Sequence, residues 1–396
     1  MKNSDINEEK IGILYSSFSC SENLFNELFG KSEIKPGQAV QKYNRLIMEG
    51  IAADYRVEVN ALTEVPITEE SYRDRFFKKR KEKINKINYL YITAINIHKL
   101  KDILAILFSF IDSINLLKQY EKKVVLSDVL NAPVALGSYF AAKITGTEYI
   151  AILTDLPEYG GSGKLYKIAS NYVLKHSDKY IFITEEMNRL MNTHNKPYLV
   201  IEGLVDCADT DNIIVEKNNK RIVLYTGSIM KKYGINNLIH GFINSNIENA
   251  ELHIYGDGDY INELSKICIE NGKVKYFGHI LSSEIPNKQR EAALLVNPRP
   301  TKDEYTKYSF PSKNMEYMVS GTPVLTTNLP GMPEDYKKYV YIIEDESADG
   351  ISKVLKKILL YTDEELNKKG ASARDFVLKE KNKYVQGKRI IDNLIL

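Results

Sequence analysis

The chain has 396 residues, too many for one ordinary core and suited to two domains of roughly 150–200 residues. Hydrophobic residues make up 43% and charged residues 27%, with ordinary glycine and proline content, so the composition is that of a globular protein. A formal net charge of only +2 excludes a dedicated nucleic-acid binder, and three widely spaced cysteines without a C-x-x-C pair exclude a disulfide framework or a zinc site.

Residues 1–10 are polar and acidic and carry no apolar stretch of the kind a secretory signal needs. The most apolar span, residues 103–117, contains Asp112 and is too short to cross a bilayer. The expectation is a cytoplasmic protein, at most peripheral at the inner face of the cell membrane.

In chain order, residues 11–15 form an apolar run that predicts a first buried strand. Pro36-Gly37 then opens a helical pattern over 38–52, with Val40, Leu46 and Ile47 as its stripe. Residues 73–86, from Arg73 to Lys86, carry eight Lys/Arg against two Asp/Glu and include Phe76-Phe77. This segment reads either as a solvated basic helix or loop, or as a patch that docks on anionic lipid to reach a lipid-linked acceptor. Further strands are predicted at 89–93, 123–126, 149–153, 180–183 and 198–201, most of them separated by helices. That alternation means parallel βαβ units.

Around 205–219 the pattern breaks into an acidic and then basic linker, and a second series follows at 222–226, 251–255, 273–277, 293–296 and 322–326. The fold class is therefore α/β with two Rossmann-like domains, over residues 1–205 and 206–375. A last helix, beginning between 371 and 376 and ending at 396, crosses back to the first.

Ligands of such sheets bind beyond the carboxyl ends of the strands, so residues that follow strands are the candidates. Gly227-Ser228 follows the first strand of the second series and precedes Lys231-Lys232. That is either a turn beside surface lysines or a phosphate-facing helix start. Gly256-Asp257-Gly258 lacks the third glycine of a dinucleotide fingerprint, because position 261 is Ile261, and reads as a tight turn. Gly161-Ser162-Gly163-Lys164 has Glu158 and Leu165 where a nucleoside-triphosphatase loop needs Gly and Ser or Thr, and that activity is rejected. Asp209-Thr210-Asp211 and Asp257-Gly258-Asp259 read as solvated turn carboxylates rather than metal ligands.

The most informative stretch is Asn297-Pro298-Arg299-Pro300, followed by Tyr308-Ser309-Phe310-Pro311-Ser312-Lys313-Asn314-Met315-Glu316-Tyr317 and Ser320-Gly321-Thr322-Pro323-Val324. Ser309 is the expected N-cap, Pro311 lies in the first turn, and Gly321 is the expected helix end. Lys313 and Glu316, three apart, share a helical face. They are either a surface pair or a ribose-binding carboxylate beside a phosphate-binding lysine.

The run 297–324 resembles glycosyltransferase family 4 of the GT-B superfamily, in which two Rossmann-like domains face each other across a cleft. The resemblance extends through 225–234, 253–258 and 274–280. It implies transfer of a sugar from a nucleotide sugar, a UDP-sugar foremost, to a glycan or lipid-linked glycan, with no further cofactor, no metal and no nucleic acid. Glu316 matches the second glutamate of the family's E-x7-E motif, which holds the ribose. Tyr308 stands where the first, sugar-contacting glutamate belongs, and Glu304 lies four residues too early to replace it. Ser309, Phe310, Pro311 and Ser312 match the loop that approaches the donor sugar. Ser228 replaces the arginine that often follows the first glycine, leaving phosphate charge to Lys232 (or Lys231), Arg299 or Lys313.

Gly256, Phe277 and Ile280 match the loops around the base, and Gly37 matches the glycine loop facing the diphosphate. Asp155 falls near a catalytic-site histidine of many relatives. The family is retaining. An inverting route would need a base, for which Asp155 or Asp128 is a candidate; each also reads as a loop or helix cap, Asp128 above all. Two other readings stay open: a catalytically inactive partner subunit, favoured by Tyr308 and Ser228, and a sugar-nucleotide epimerase, disfavoured by six histidines with no visible cluster.

Overall fold

The computed structural model describes residues 10–30, 32, 36–68, 70–72, 74–97, 100–159, 163–207, 220–281 and 284–396. Arg73, Gly161-Ser162 and Asp209-Thr210-Asp211 lie outside them. The chain folds as two compact units, one running to Leu204 and rejoined by Lys383–Leu396, the other spanning Val205–Asn382.

The first unit runs β1 (Ile11–Ser17), α1 (Glu22–Phe29), α2 (Ala39–Ala52), β2 (Val57–Thr63), β3 (Phe76–Phe77), β4 (Arg80–Ile84), β5 (Ile87–Tyr91), β6 (Ala94–Ile95) and α3 (Leu100–Leu117). It continues β7 (Lys123–Asp128), α4 (Ala132–Thr145), β8 (Glu148–Leu153), α5 (Lys164–His176), β9 (Lys179–Phe182), α6 (Glu185–Met191) and β10 (Tyr198–Val200). Its main sheet has the order β10-β9-β8-β7-β1-β2-β5-β4. The central strands are buried on both faces, which is why they read as continuous apolar runs.

Two expectations change here. From Arg80 onward the basic segment is strand rather than helix or loop: β4 lies antiparallel to β5, joined by the two-residue turn Asn85-Lys86, both at positive φ (49° and 68°). Its lysines lie on the edge of the sheet, where charge discourages pairing with another chain. The single terminal helix is interrupted at Lys381-Asn382, with its last part in the first unit.

The second unit runs β11 (Arg221–Thr226), α7 (Ile235–Ser245), β12 (Ala250–Tyr255), α8 (Ile261–Glu270), β13 (Val274–Tyr276), α9 (Ile285–Glu291), β14 (Leu294–Asn297), α10 (Ser312–Val319), β15 (Val324–Thr327), α11 (Glu334–Lys337), β16 (Tyr341–Ile343), α12 (Ala348–Ile358) and α13 (Asp363–Glu380). The sheet order is β13-β12-β11-β14-β15-β16, parallel throughout. Strand order reverses at β11 and β14, the switch point of a doubly wound sheet. The returning helix α14 (Lys383–Ile390) packs on α2, and Ile390, Ile391 and Leu394 are buried in the first unit's core.

Candidate functional site

At the switch point, two glycines shape the carboxyl edge. Gly227 follows β11 at φ +133° and Gly256 follows β12 at φ +139°, conformations that side chains rarely adopt. Gly227 N–H donates to Tyr255 O at 2.9 Å, and Gly256 N–H donates to Gly278 O at 2.9 Å. A Cβ on Gly256 would strike the Gly227 carbonyl, and one on Gly227 would strike the Lys313 ammonium. The strands end in a shallow backbone floor with Lys313 directly above it.

Helix α10 is fixed over that floor by polar contacts that hydropathy does not show. The buried Tyr317 hydroxyl accepts from Thr226 N–H at 3.0 Å and donates to Thr226 O at 3.2 Å, tying the helix to the end of β11. On its other side, Asn297 Nδ2 donates to Asn314 Oδ1 at 2.8 Å and Asn314 Nδ2 donates to Thr326 Oγ1 at 3.1 Å, linking β14, α10 and β15. Lys313 is one helical turn before Tyr317 and shares its face, so the Tyr317 anchor sets the lysine over Gly227.

The electrostatics are one-sided. Lys313 Nζ stands 4.4 Å above the Tyr225 ring and has no hydrogen bond or ion pair among the described residues. Burial, then the nearby Arg299 charge, pull its pKa down to about 8 against the opposing pull of Glu316. Arg299 rests over the rings of Tyr233 (5.6 Å) and Tyr305 (4.9 Å), also without a carboxylate partner among the described residues. Lys232, in the short 3-10 turn Lys231–Tyr233, is exposed 5.2 Å from the Tyr233 ring. Three cations share this edge with no carboxylate in ion-pair contact among the described residues, an arrangement that suits a polyanion.

Glu316 is exposed and has no partner among the described residues. Tyr308 ends the 3-10 turn Glu304–Tyr308, half-buried. The Ser309 hydroxyl is buried with no hydrogen-bond partner among the described residues, so it is not the expected N-cap. Pro311 takes the N-cap position of α10 with no side-chain cap bond, because the buried Phe310, packed 5.3 Å from the Tyr336 ring, holds the preceding loop inward. Ser312 opens the helix, which ends one residue before Ser320, with Gly321 at φ +77° beyond it. Phe277 is 48% exposed and stacks on Tyr255 at 4.8 Å, presenting a flat apolar face beyond β13, with Ile280 half-buried after it. Ser228 is exposed and its carbonyl accepts from the Tyr225 hydroxyl at 2.7 Å.

Asp257 accepts from Gly258 N–H at 2.8 Å and Asp259 from Lys231 N–H at 3.1 Å, as turn carboxylates do. Among the described residues there is no group of three or more His, Cys, Asp and Glu placed to hold a metal. Gly37 and Asp155 belong to the first unit. Gly37 lies before α2 with open space around it, and exposed Asp155, after β8, accepts from Leu156 N–H at 2.8 Å. Asp128 is buried, accepting from Asn44 Nδ2 and Leu130 N–H, and burial raises its pKa. The N-cap position of α4 belongs to Asn131, so Asp128 is a buried loop carboxylate and not a helix cap.

The chain is similar to several solved structures over nearly its whole length. Sucrose-phosphate synthase of Thermosynechococcus elongatus shares 15% identity, covers 97% of this chain and 99% of its own, and has a TM-score of 0.66. HepE of Anabaena in complex with UDP and glucose shares 13% over 97% and 99%, with a TM-score of 0.61. An E. coli structure described as trehalose-6-phosphate bound with UDP-2-fluoro glucose shares 11% over 97% and 98%, with a TM-score of 0.68. These likenesses define the class by fold, GT-B. Residues 208–375 match the family model for glycosyl transferases group 1, and with that domain the protein is a glycosyltransferase. No curated relative matches the chain.

Sequence reading missed Tyr317, Thr226 and the Asn297–Asn314–Thr326 chain. Thr226, Asn297 and Thr326 at strand ends, with Asn314 and Tyr317 inside the motif, were the available signal, and it does not reveal which of them meet.

Proposed function

We propose that this glycosyltransferase moves a sugar from a UDP-sugar to a glycan or lipid-linked glycan acceptor, with retention and without a metal, in the manner of glycosyltransferase family 4. The growing chain would be a cell-surface polysaccharide, assembled at the inner face of the membrane. The observation that carries the donor reading is Lys313 above the Gly227 turn, near the Arg299 charge, with no ion pair among the described residues.

In this reading Lys313, Arg299 and Lys232 neutralise the departing diphosphate, Glu316 binds the ribose hydroxyls, and Phe277 lies against the base. The bond from the anomeric carbon to the β-phosphate oxygen breaks and the acceptor oxygen takes that carbon on the same face. The acceptor's proton passes to the leaving phosphate oxygen, so no protein base is required. Fixed cations at developing negative charge are the main source of acceleration in such a site. Tyr308 offers the donor sugar a hydroxyl in place of a carboxylate. That the UDP-bound structures share the fold supports the choice of uridine.

The test is release of UDP from a panel of UDP-sugars with a membrane-derived glycan acceptor. Lys313→Ala should lower kcat/KM by roughly 10²–10³-fold, NMR of the product should show a retained anomer, and EDTA should leave the rate unchanged. An inverted product would favour Asp155 as base, and no turnover with any donor would favour the inactive-partner reading.

A further inference from the structure

The first unit carries a cleft on the side of its sheet opposite the carboxyl edge, where ligands of such sheets bind. The cleft opens at the amino end of β2, where the chain passes from α2 through Ala53, Asp54, Tyr55 and Arg56 into the strand, and α14 forms its other wall. Its volume is about 620 Å³, within the range of small-molecule sites. Gly50 lines it too, and a Cβ there would strike the Lys383 carbonyl, so the two helices meet backbone to backbone at its base. Tyr55 on one wall is 74% exposed and Tyr384 on the other is 50% exposed. Single exposed aromatic side chains need no explanation, but two on opposite walls of one cleft offer apolar faces to a ring.

The polar lining is arranged around Arg56, whose guanidinium donates to Asp54 at 2.6 and 2.9 Å and to Asp392 Oδ1 at 3.2 Å. Asp392 stands in the π-helical turn Ile391–Ile395, a rare form that recurs at functional sites, with Leu396 N–H donating to Ile391 O at 2.9 Å. Its Oδ2 and the exposed Lys388 make no hydrogen bond or ion pair among the described residues. Asp54 and Asp392 balance Arg56 and Lys388, so the charges lining the cleft cancel. The Lys383–Glu49 pair at 2.7 Å, its ammonium 5.4 Å from the Tyr384 ring, adds none. A diphosphate would face two carboxylates with Lys388 alone left to hold it. A neutral sugar suits the lining, because its C–H face can lie on a tyrosine while its hydroxyls donate to a carboxylate and accept from an ammonium.

We propose that this cleft is a glycan site separate from the donor site, taking a neutral sugar unit against Tyr55 and Tyr384 and bonding its hydroxyls through Asp392 and Lys388. Such a site keeps a growing chain on the enzyme between transfers. That use rests on the sugar-transfer reading, whereas the binding itself is measured without turnover.

Saturation-transfer NMR of the full-length protein is run with maltotetraose, cellotetraose, mannotetraose, chitotetraose and tetragalacturonate. At least one neutral tetrasaccharide should bind, and more tightly than tetragalacturonate. Tyr55→Ala and Tyr384→Ala should each weaken that binding roughly three- to ten-fold, with thermal melts and UDP affinity as in wild type. Binding of none of the five, a preference for tetragalacturonate, or folded variants that bind as wild type does overturns the proposal. So does a wild-type dimer that Tyr55→Ala makes monomeric, since the occupant is then a second copy. A wild type that binds a tetrasaccharide through these tyrosines but no UDP supports the proposal and sinks the sugar-transfer reading instead.

Discussion

An ammonium packed among protein atoms with no ion-pair partner titrates more readily, and half-buried Lys313 is such a group. With its pKa drawn down to about 8 from an ordinary 10.5, the unfolded chain holds more protons than the fold between those values, so stability rises with pH across that window. A bound diphosphate favours the charged form, so UDP affinity should be full below pH 8 and fall by up to about ten-fold per pH unit above it. Calorimetry from pH 7 to 9.5 should show that decline, and Lys313→Met should remove it while weakening binding about 10–100-fold at pH 7. Glu64, buried after β2 with Lys101 Nζ at 3.6 Å, is the opposite case. Burial pushes its carboxyl up to about 7, so its contribution to stability is present below pH 4.5 and lost as pH rises through 7. Glu64→Gln should flatten that dependence and stabilise the fold at pH 8 by about 1–3 kcal/mol in urea melts. Lys313 was visible in the sequence as a charged residue inside a long motif. Glu64 was not, because a lone glutamate after a strand carries no sign of its burial.

Elements decide where those residues stand. Tyr317 holds α10 to Thr226 at the end of β11, and without its hydroxyl the buried Thr226 N–H has no acceptor. Tyr317→Phe should therefore cost about 1–3 kcal/mol of unfolding free energy and weaken UDP binding, although no nucleotide atom touches it in our reading. Unaltered binding in that variant would mean that Lys313 is not positioned through this contact. Most strands were legible because parallel strands covered on both faces read as apolar runs. β2 was not, since Glu58 and Asn60 interrupt it, and only the structure shows Asn88 Nδ2 donating to Glu58 and Asn60 Nδ2 donating to the Tyr120 hydroxyl. The basic hairpin was misread for a related reason. Its lysines alternate along an edge strand with little apolar signal, and the turn at Asn85-Lys86 lacks the usual glycine.

At the scale of the molecule, the chain builds two Rossmann-like units and uses its last residues to complete the first. Gly50 and Gly387 let α2 and α14 cross in backbone contact, and Ile391 is fully buried beside residues some 340 positions earlier in the chain, such as Ile51. Ile391→Ala should cost about 2–5 kcal/mol, read as earlier unfolding of the first unit in denaturant, with the second unit's transition unmoved. The specific motifs all fall in the second unit, where a loop and a short helix must meet a fixed ligand chemistry. In the first unit the sequence shows the layout, while the acceptor depends on surface shape, which hydropathy does not encode. The central claim is that the edge around Gly227, Lys313 and Glu316 binds a nucleoside diphosphate. Titration calorimetry of the purified protein with UDP, GDP and ADP tests it most directly, alongside Glu316→Ala. The account predicts selective binding of UDP, weakened at least about ten-fold in the variant. A folded protein that binds none of the three, or a Glu316→Ala variant that binds UDP as wild type does, would contradict it.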